Sequence, residues 1–140
     1  MTPLLSRLPI SRRTRRRVKA WRVRALEAIG VHRYTWSALY GLDRKLAAYF
    51  DGARGGRFVE IGGNDGLQQS NTLALARVFG WTGLLIEADP ELASECRRNR
   101  PESTVVCVAC GATTTFAWLD AADLVGRVTA EGTTAVPAAP

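Results

Sequence analysis

Phe58-Val59-Glu60-Ile61-Gly62-Gly63-Asn64-Asp65-Gly66 is the stretch on which the reading of this chain turns. It opens as an apolar run of strand type, carries a carboxylate near the end of that run, and breaks into a loop with three glycines. A helical pattern follows from Leu67 or Ser70 to Phe79, where Gly80 ends it. Strand, glycine loop and helix in succession let backbone approach a nucleotide-like ligand closely, with the helix N-terminus aimed at it.

Working outward toward the C-terminus, Leu84-Leu85-Ile86-Glu87 is a second apolar strand with a carboxylate at its end. Asp89-Pro90-Glu91 then opens a helix, with Asp as the cap, Pro at the first helical position and an acid in the first turn. That helix stops near Asn99, ahead of Pro101. Thr104 to Ala109 reads as a third strand and Thr113 to Leu119 as a short further one. Three strands alternating with two helices make a β-α-β-α-β unit. Right-handed crossovers then predict a parallel sheet of order 3-2-1, half of a doubly wound α/β fold.

Toward the N-terminus, Ser37 to Phe50 is an expected helix with Leu39, Leu42, Leu46 and Tyr49 or Phe50 on its apolar face, ended by Asp51-Gly52. From Arg15 to Ile29, the residues Val18, Trp21, Ala25 and Ile29 recur at helical spacing and draw an apolar stripe on a basic helix that Gly30 stops. The stripe is expected to pack on the domain; the alternative is a helix lying on an anionic membrane or phosphate surface. Residues 1–14 read as an arm. The expected organisation is a basic arm and helix over 1–36, a partial domain over 37–119 and an irregular low-complexity tail over 120–140.

With 140 residues and 46% hydrophobic composition, the chain fits one domain of common size. No apolar run has the length of a membrane span and no segment has a signal peptide's apolar centre, so a cytoplasmic protein is expected. The formal charge of +6 is unevenly placed. Residues 1–57 hold 14 of the 19 basic residues and three acids, for +11; residues 58–140 hold five basic and ten acidic residues, for −5. The basicity belongs to the leader, so the pI is no evidence for specific nucleic-acid binding. Cys96, Cys107 and Cys110 form an odd set, which argues against a disulfide framework. Cys107 and Cys110 have no second pair to complete a metal site, and buried strand thiols are the expected reading. His32 lies outside the domain, so no nucleophile–histidine relay is available.

Two ligands compete for the loop. The dinucleotide fingerprint G-x-G-x-x-G does not register, because the third and sixth positions from Gly62 are Asn64 and Leu67. The loop reads instead as Glu60-x-Gly62-x-Asn64-x-Gly66, a variant of the acid-x-Gly-x-Gly-x-Gly loop that binds S-adenosylmethionine. A pyrophosphate would sit badly beside Glu60 and Asp65, whereas a sulfonium and an ammonium would be favoured there. Glu87, 21 residues after Gly66, can accept hydrogen bonds from both hydroxyls of a ribose.

Val59 to Gly66, then Ser70-Asn71-Thr72, then Gly80-Trp81, Gly83 to Pro90, and Asn99-Arg100-Pro101 together resemble the FkbM family of methyltransferases over roughly residues 39–119. Gly63 stands where that family more often has alanine. The resemblance implies a Rossmann-like class I methyltransferase fold, S-adenosylmethionine as cofactor, and O-methylation of a sugar, glycolipid or other small-molecule hydroxyl. It implies that Gly62, Gly63 and Gly66 admit the methionine moiety, that Glu60, Asn64 and Asp65 serve its polar ends, that Glu87 holds the ribose, and that Ala88 lies beside the adenine. Ser70-Asn71-Thr72 is a family signature in that comparison, with an N-cap role for Ser70 or Asn71 equally consistent.

The family's fourth-strand motif, of the type Lys-Ile-Asp-Val-Glu-Gly, is missing from residues 120–140. The expectation is therefore an N-terminal portion of such an enzyme, its alternative a non-catalytic cofactor-binding or interaction remnant. No base for the acceptor hydroxyl and no metal ligands are identified. Order 3-2-1 leaves the first strand at a sheet edge, where self-association is expected.

Overall fold

The computed structural model describes residues 11–111, 115–120, 127–129 and 134–139. The chain divides into two compact units, residues 1–32 and 33–140. The first contains helix α1 (Arg12–Ala28), capped by Ser11, whose hydroxyl accepts from Thr14 N at 3.1 Å. The reading of 1–14 as an arm gives way here to a helix that starts at Arg12; residues 1–10 lie outside those described.

The second unit begins with a short 3-10 turn (Leu39–Gly41) and helix α2 (Leu42–Tyr49), followed by strand β1 (Arg57–Ile61). The single helix expected from Ser37 is thus broken, because Tyr40 and Gly41 both adopt positive φ, 55° and 64°. The rest of the α/β layer is helix α3 (Leu73–Phe79), strand β2 (Thr82–Glu87), helix α4 (Pro90–Asn99) and strand β3 (Thr104–Cys107). Strands β1, β2 and β3 form a parallel sheet in that spatial order. Its register pairs Phe58 with Gly83, Val59 with Leu84, and Leu85 with Val105. This is the Rossmann-like β-α-β-α-β arrangement expected from the connection rules.

The core lies between the sheet and its helices. Leu73, Ala74 and Leu75 of α3, Leu85 of β2, and Leu92, Ala93 and Cys96 of α4 are buried. Trp81 closes one end, its indole Nε1 donating to Ala53 O at 2.6 Å. Gly80 ends α3 with φ 68°, and Asp89 caps α4 by accepting from Glu91 N and Leu92 N at 2.8 and 3.2 Å.

Among the described residues β1 is paired on one side only, and Val59 and Ile61 are exposed there. Its open side borders a cleft of about 360 Å³, lined in part by Leu42, Leu46 and Phe50. The apolar face expected on α2 therefore stays largely open. The buried residue of that helix is Asp43, which accepts from Ala38 N and Arg44 N at 3.0 and 2.8 Å.

Beyond β3 the chain starts a second sheet. Strand β4 (Ala109–Cys110), β5 (Thr115–Asp120), β6 (Arg127–Thr129) and β7 (Thr134–Ala139) assemble in the order β4-β7-β5-β6. β7 pairs parallel to β4 and antiparallel to β5, with Ala117 opposite Val136. The tail expected to be irregular over 120–140 thus supplies two strands. The Ala- and Pro-rich sequence of β7 has weak strand preference, and its ladders against β4 and β5 decide its conformation, whereas β6, Arg127-Val128-Thr129, pairs antiparallel with β5.

Candidate ligand site at the β1 loop

The loop leaves the C-terminal end of β1 and is held by backbone hydrogen bonds to the neighbouring strand. Gly62 N and Gly63 N both donate to Ile86 O, at 2.8 and 2.9 Å, and Gly66 N donates to Gly63 O at 2.9 Å. The three glycines serve different needs. Gly62 has φ 79° and open space where a Cβ would stand. At Gly63 a Cβ would press on Leu85 at 3.3 Å. At Gly66 it would lie 2.7 Å from Arg100 Cγ and 3.0 Å from Cys96 Sγ. Gly62 therefore leaves room on the open side of the loop, while Gly63 and Gly66 let the loop seat on β2 and α4.

Glu87 ends β2 half-buried beside this loop. One carboxylate oxygen accepts from Asn64 N at 2.7 Å and the other from Asp89 N at 2.9 Å. Each oxygen is left with acceptor capacity for a further donor. Asn64 sits at φ 50° with its side-chain oxygen turned onto Asp65 N at 2.6 Å. Ala88 follows, half-buried, its carbonyl accepting from the Cys107 thiol at 3.7 Å.

The structure takes the other two carboxylates inside. Glu60 is buried and accepts from Ser70 Oγ at 3.0 Å, Asn71 N at 2.7 Å and Thr72 Oγ1. Asp65, also buried, accepts from Leu67 N and Gln68 N at 2.9 and 2.8 Å and from Gln68 Nε2 at 3.2 Å. Both act as pins that set the path of the loop into α3. The N-cap position of α3 is Thr72, not Ser70 or Asn71; Ser70 donates to Glu60 and accepts from Leu73 N, the first residue of α3, at 3.1 Å.

Arg100 completes this network from the far end of α4. It is fully buried and donates to Glu102 Oε1 at 2.6 Å, Ser70 Oγ at 3.1 Å, Thr72 Oγ1 at 3.3 Å and Gly66 O at 3.4 Å. In the sequence Arg100 stands only as part of the Asn99-Arg100-Pro101 pattern. Its signal was an arginine placed after a helix end and before a proline, which says nothing about burial.

A cleft of about 320 Å³ opens on the exposed side of the loop, lined by Leu39, Tyr40, Leu42, Gly62, Asn64, Gln68, Gln69 and Asn71. Ser37 Oγ donates to Leu67 O at 2.6 Å, and a bridge links Ala38 to Gln69, so the segment before α2 is tied to the loop. Tyr40, Asn64 and Gln69 all have positive φ, between 50° and 57°. Such conformations in non-glycine residues cost on the order of 1 kcal/mol or more each and gather where a site needs them. Gln68 and Gln69 continue the loop in sequence but carry no motif, whereas Leu39, read only as part of a helix face, and Tyr40 are brought to the loop by the fold.

Cys96 lies beneath the loop, fully buried. Burial pushes its thiol from an ordinary 9.0 up to about 12, against a smaller opposing effect of Arg100. Cys107 is half-buried and raised by the same cause, while Cys110 is exposed, contrary to the expectation of buried thiols. The unfolded chain gives up the Cys96 proton first, so stability should fall as pH rises from 9.0 toward about 12. The slope from this group is at most about 1.4 kcal/mol per pH unit. Urea midpoints across alkaline pH should fall more steeply in the parent than in Cys96→Ala; parallel slopes would refute this.

Two solved structures are similar to the chain. A TehB-like SAM-dependent methyltransferase from Corynebacterium glutamicum is 24% identical over 68% of this chain and 45% of its own, with a TM-score of 0.39. A point mutant of MtNAS is 17% identical over 75% of this chain and 42% of its own, also with a TM-score of 0.39. The chain spans less than half the length of either structure. No family model and no curated protein matches it.

Proposed function

We propose that the loop site binds S-adenosylmethionine and that the chain is part of a class I methyltransferase of the FkbM type, acting on a small-molecule, sugar or glycolipid hydroxyl. The observation that carries this reading is the charge of the cleft: none of its eight lining residues is a cation, and the Glu87 carboxylate stands next to it, bonded to Asn64 N. A dinucleotide would bring a pyrophosphate to a place that offers it no lysine or arginine. A nucleoside bearing a sulfonium and an ammonium is matched by amides and a carboxylate.

The donor set fits such a ligand. Glu87, with acceptor capacity left on both oxygens, would take the ribose hydroxyls, and Ala88 would flank the base. Gly62 and Asn64 would meet the amino-acid end, with Gly63 and Gly66 setting how close the loop can come. Glu60 and Asp65 would serve the ligand by holding that loop. When bound, the cofactor supplies an electrophilic methyl group; what the chain contributes is orientation of the acceptor against it. The finer FkbM reading rests on the sequence pattern from Val59 to Pro101.

Calorimetry on the chain should give heat with S-adenosylhomocysteine and none with NAD. Glu87→Ala should weaken that binding by roughly 1.5–3 kcal/mol, the scale of hydrogen bonds to a charged group. Binding of NAD without S-adenosylhomocysteine would overturn the assignment.

A further inference from the structure

Helix α1 carries seven arginines and one lysine against the single acid Glu27. The stripe picked out by its periodicity, Val18, Trp21, Ala25 and Ile29, spans about 80° of the helix at 100° per residue. Within this unit Val18 is 61%, Trp21 72% and Ile29 73% exposed. The buried positions of α1 are Ala20 and Val23, on the opposite face. Exposed arginines border the stripe on both sides, Arg15 and Arg22 along one edge and Arg17 and Arg24 along the other.

An open apolar stripe centred on a tryptophan and edged by arginines is the surface of a helix that lies in a membrane interface. We infer that α1 docks on an anionic lipid bilayer, its axis along the surface, with Trp21, Val18 and Ile29 entering the headgroup boundary and the flanking arginines meeting lipid phosphates. Polyphosphate or nucleic acid would use the charge but would leave the apolar stripe in water. A bilayer uses both, and this favours lipid. The helix is not a span: none among the described residues is long and apolar enough to cross a membrane. Docking through α1 is independent of the ligand at the β1 loop.

The test is co-sedimentation of the full chain with vesicles of equimolar phosphatidylcholine and phosphatidylglycerol, beside vesicles of phosphatidylcholine alone. The chain should pellet with the anionic vesicles, less so as salt is raised, and stay in solution with the neutral ones. Trp21→Ser should lower partitioning about tenfold or more, the scale of burying one large apolar side chain. Arg15→Gln and Arg22→Gln should each lower it about fivefold. These residues are exposed, and unchanged circular dichroism will show that the fold is kept. The inference is overturned if the parent ignores anionic vesicles or if Trp21→Ser binds them as the parent does. It is equally overturned if a DNA duplex is retained while vesicles are not.

Discussion

Arg100→Ala should destabilise the folded chain by about 3–5 kcal/mol, the range for removing one member of a buried charged network. The guanidinium is fully buried and is shared by Glu102, Ser70, Thr72 and the Gly66 carbonyl. Its loss leaves those acceptors without their donor. It also strips a positive charge from the far side of the two hydroxyls that hold buried Glu60. Against a total stability of roughly 5–15 kcal/mol for a domain, this is a large fraction. Urea denaturation measures it directly. Arg100→Met restores most of the volume but no donors, so it should recover little; near-parental stability in Arg100→Met would mean that packing, not hydrogen bonding, is what Arg100 supplies. The loop should loosen with the network, and affinity for S-adenosylhomocysteine should drop in Arg100→Ala although Arg100 does not line the cleft.

Gly83→Ala is expected to be the most damaging glycine substitution, at about 3 kcal/mol or more, because it overpacks a strand pair that cannot move apart without losing its ladder. Gly83 stands opposite Phe58 in the β1–β2 register. A Cβ there would overlap Phe58 O and lie 2.6 Å from Phe58 Cδ2. The relief available is separation of β1 from β2, which undoes the base of the ligand loop. Gly62→Ala is the control. It meets open space and has only its φ of 79° to offend, so it should cost roughly 1–2 kcal/mol. Thermal or urea midpoints of the two variants decide the matter, and equal losses would refute the register argument.

Much of the α/β layer was legible because it depends on short-range patterns. The runs at 57–61 and 82–87, short and rich in Phe, Val, Ile and Leu, favour strands. Asp89-Pro90 and Gly80 mark helix ends by capping and by positive φ, and chain connectivity then leaves one strand order. The β1 loop and Glu87 were legible for the same reason, since both sit at the ends of those strands.

Side-chain direction and long-range pairing were not. Glu60 looked ready for a ligand, but its partners stand ten to twelve residues further on and share their hydroxyls with Arg100, a juxtaposition no local pattern encodes. The stripe on α1 was visible as a period, but period alone does not say whether a stripe is covered, and here Ala20 and Val23 occupy the buried face. Ala- and Pro-rich 134–139 forms a strand because β4 and β5 lie on either side of it. The β-α-β-α-β order, its caps and its glycine loop are encoded locally, because they follow from hydrogen bonding and sterics within a few residues. Which carboxylates are buried in the loop's own hydrogen-bond network, Glu60 and Asp65, is set by partners brought together by the fold, because burial is settled by groups far apart along the chain.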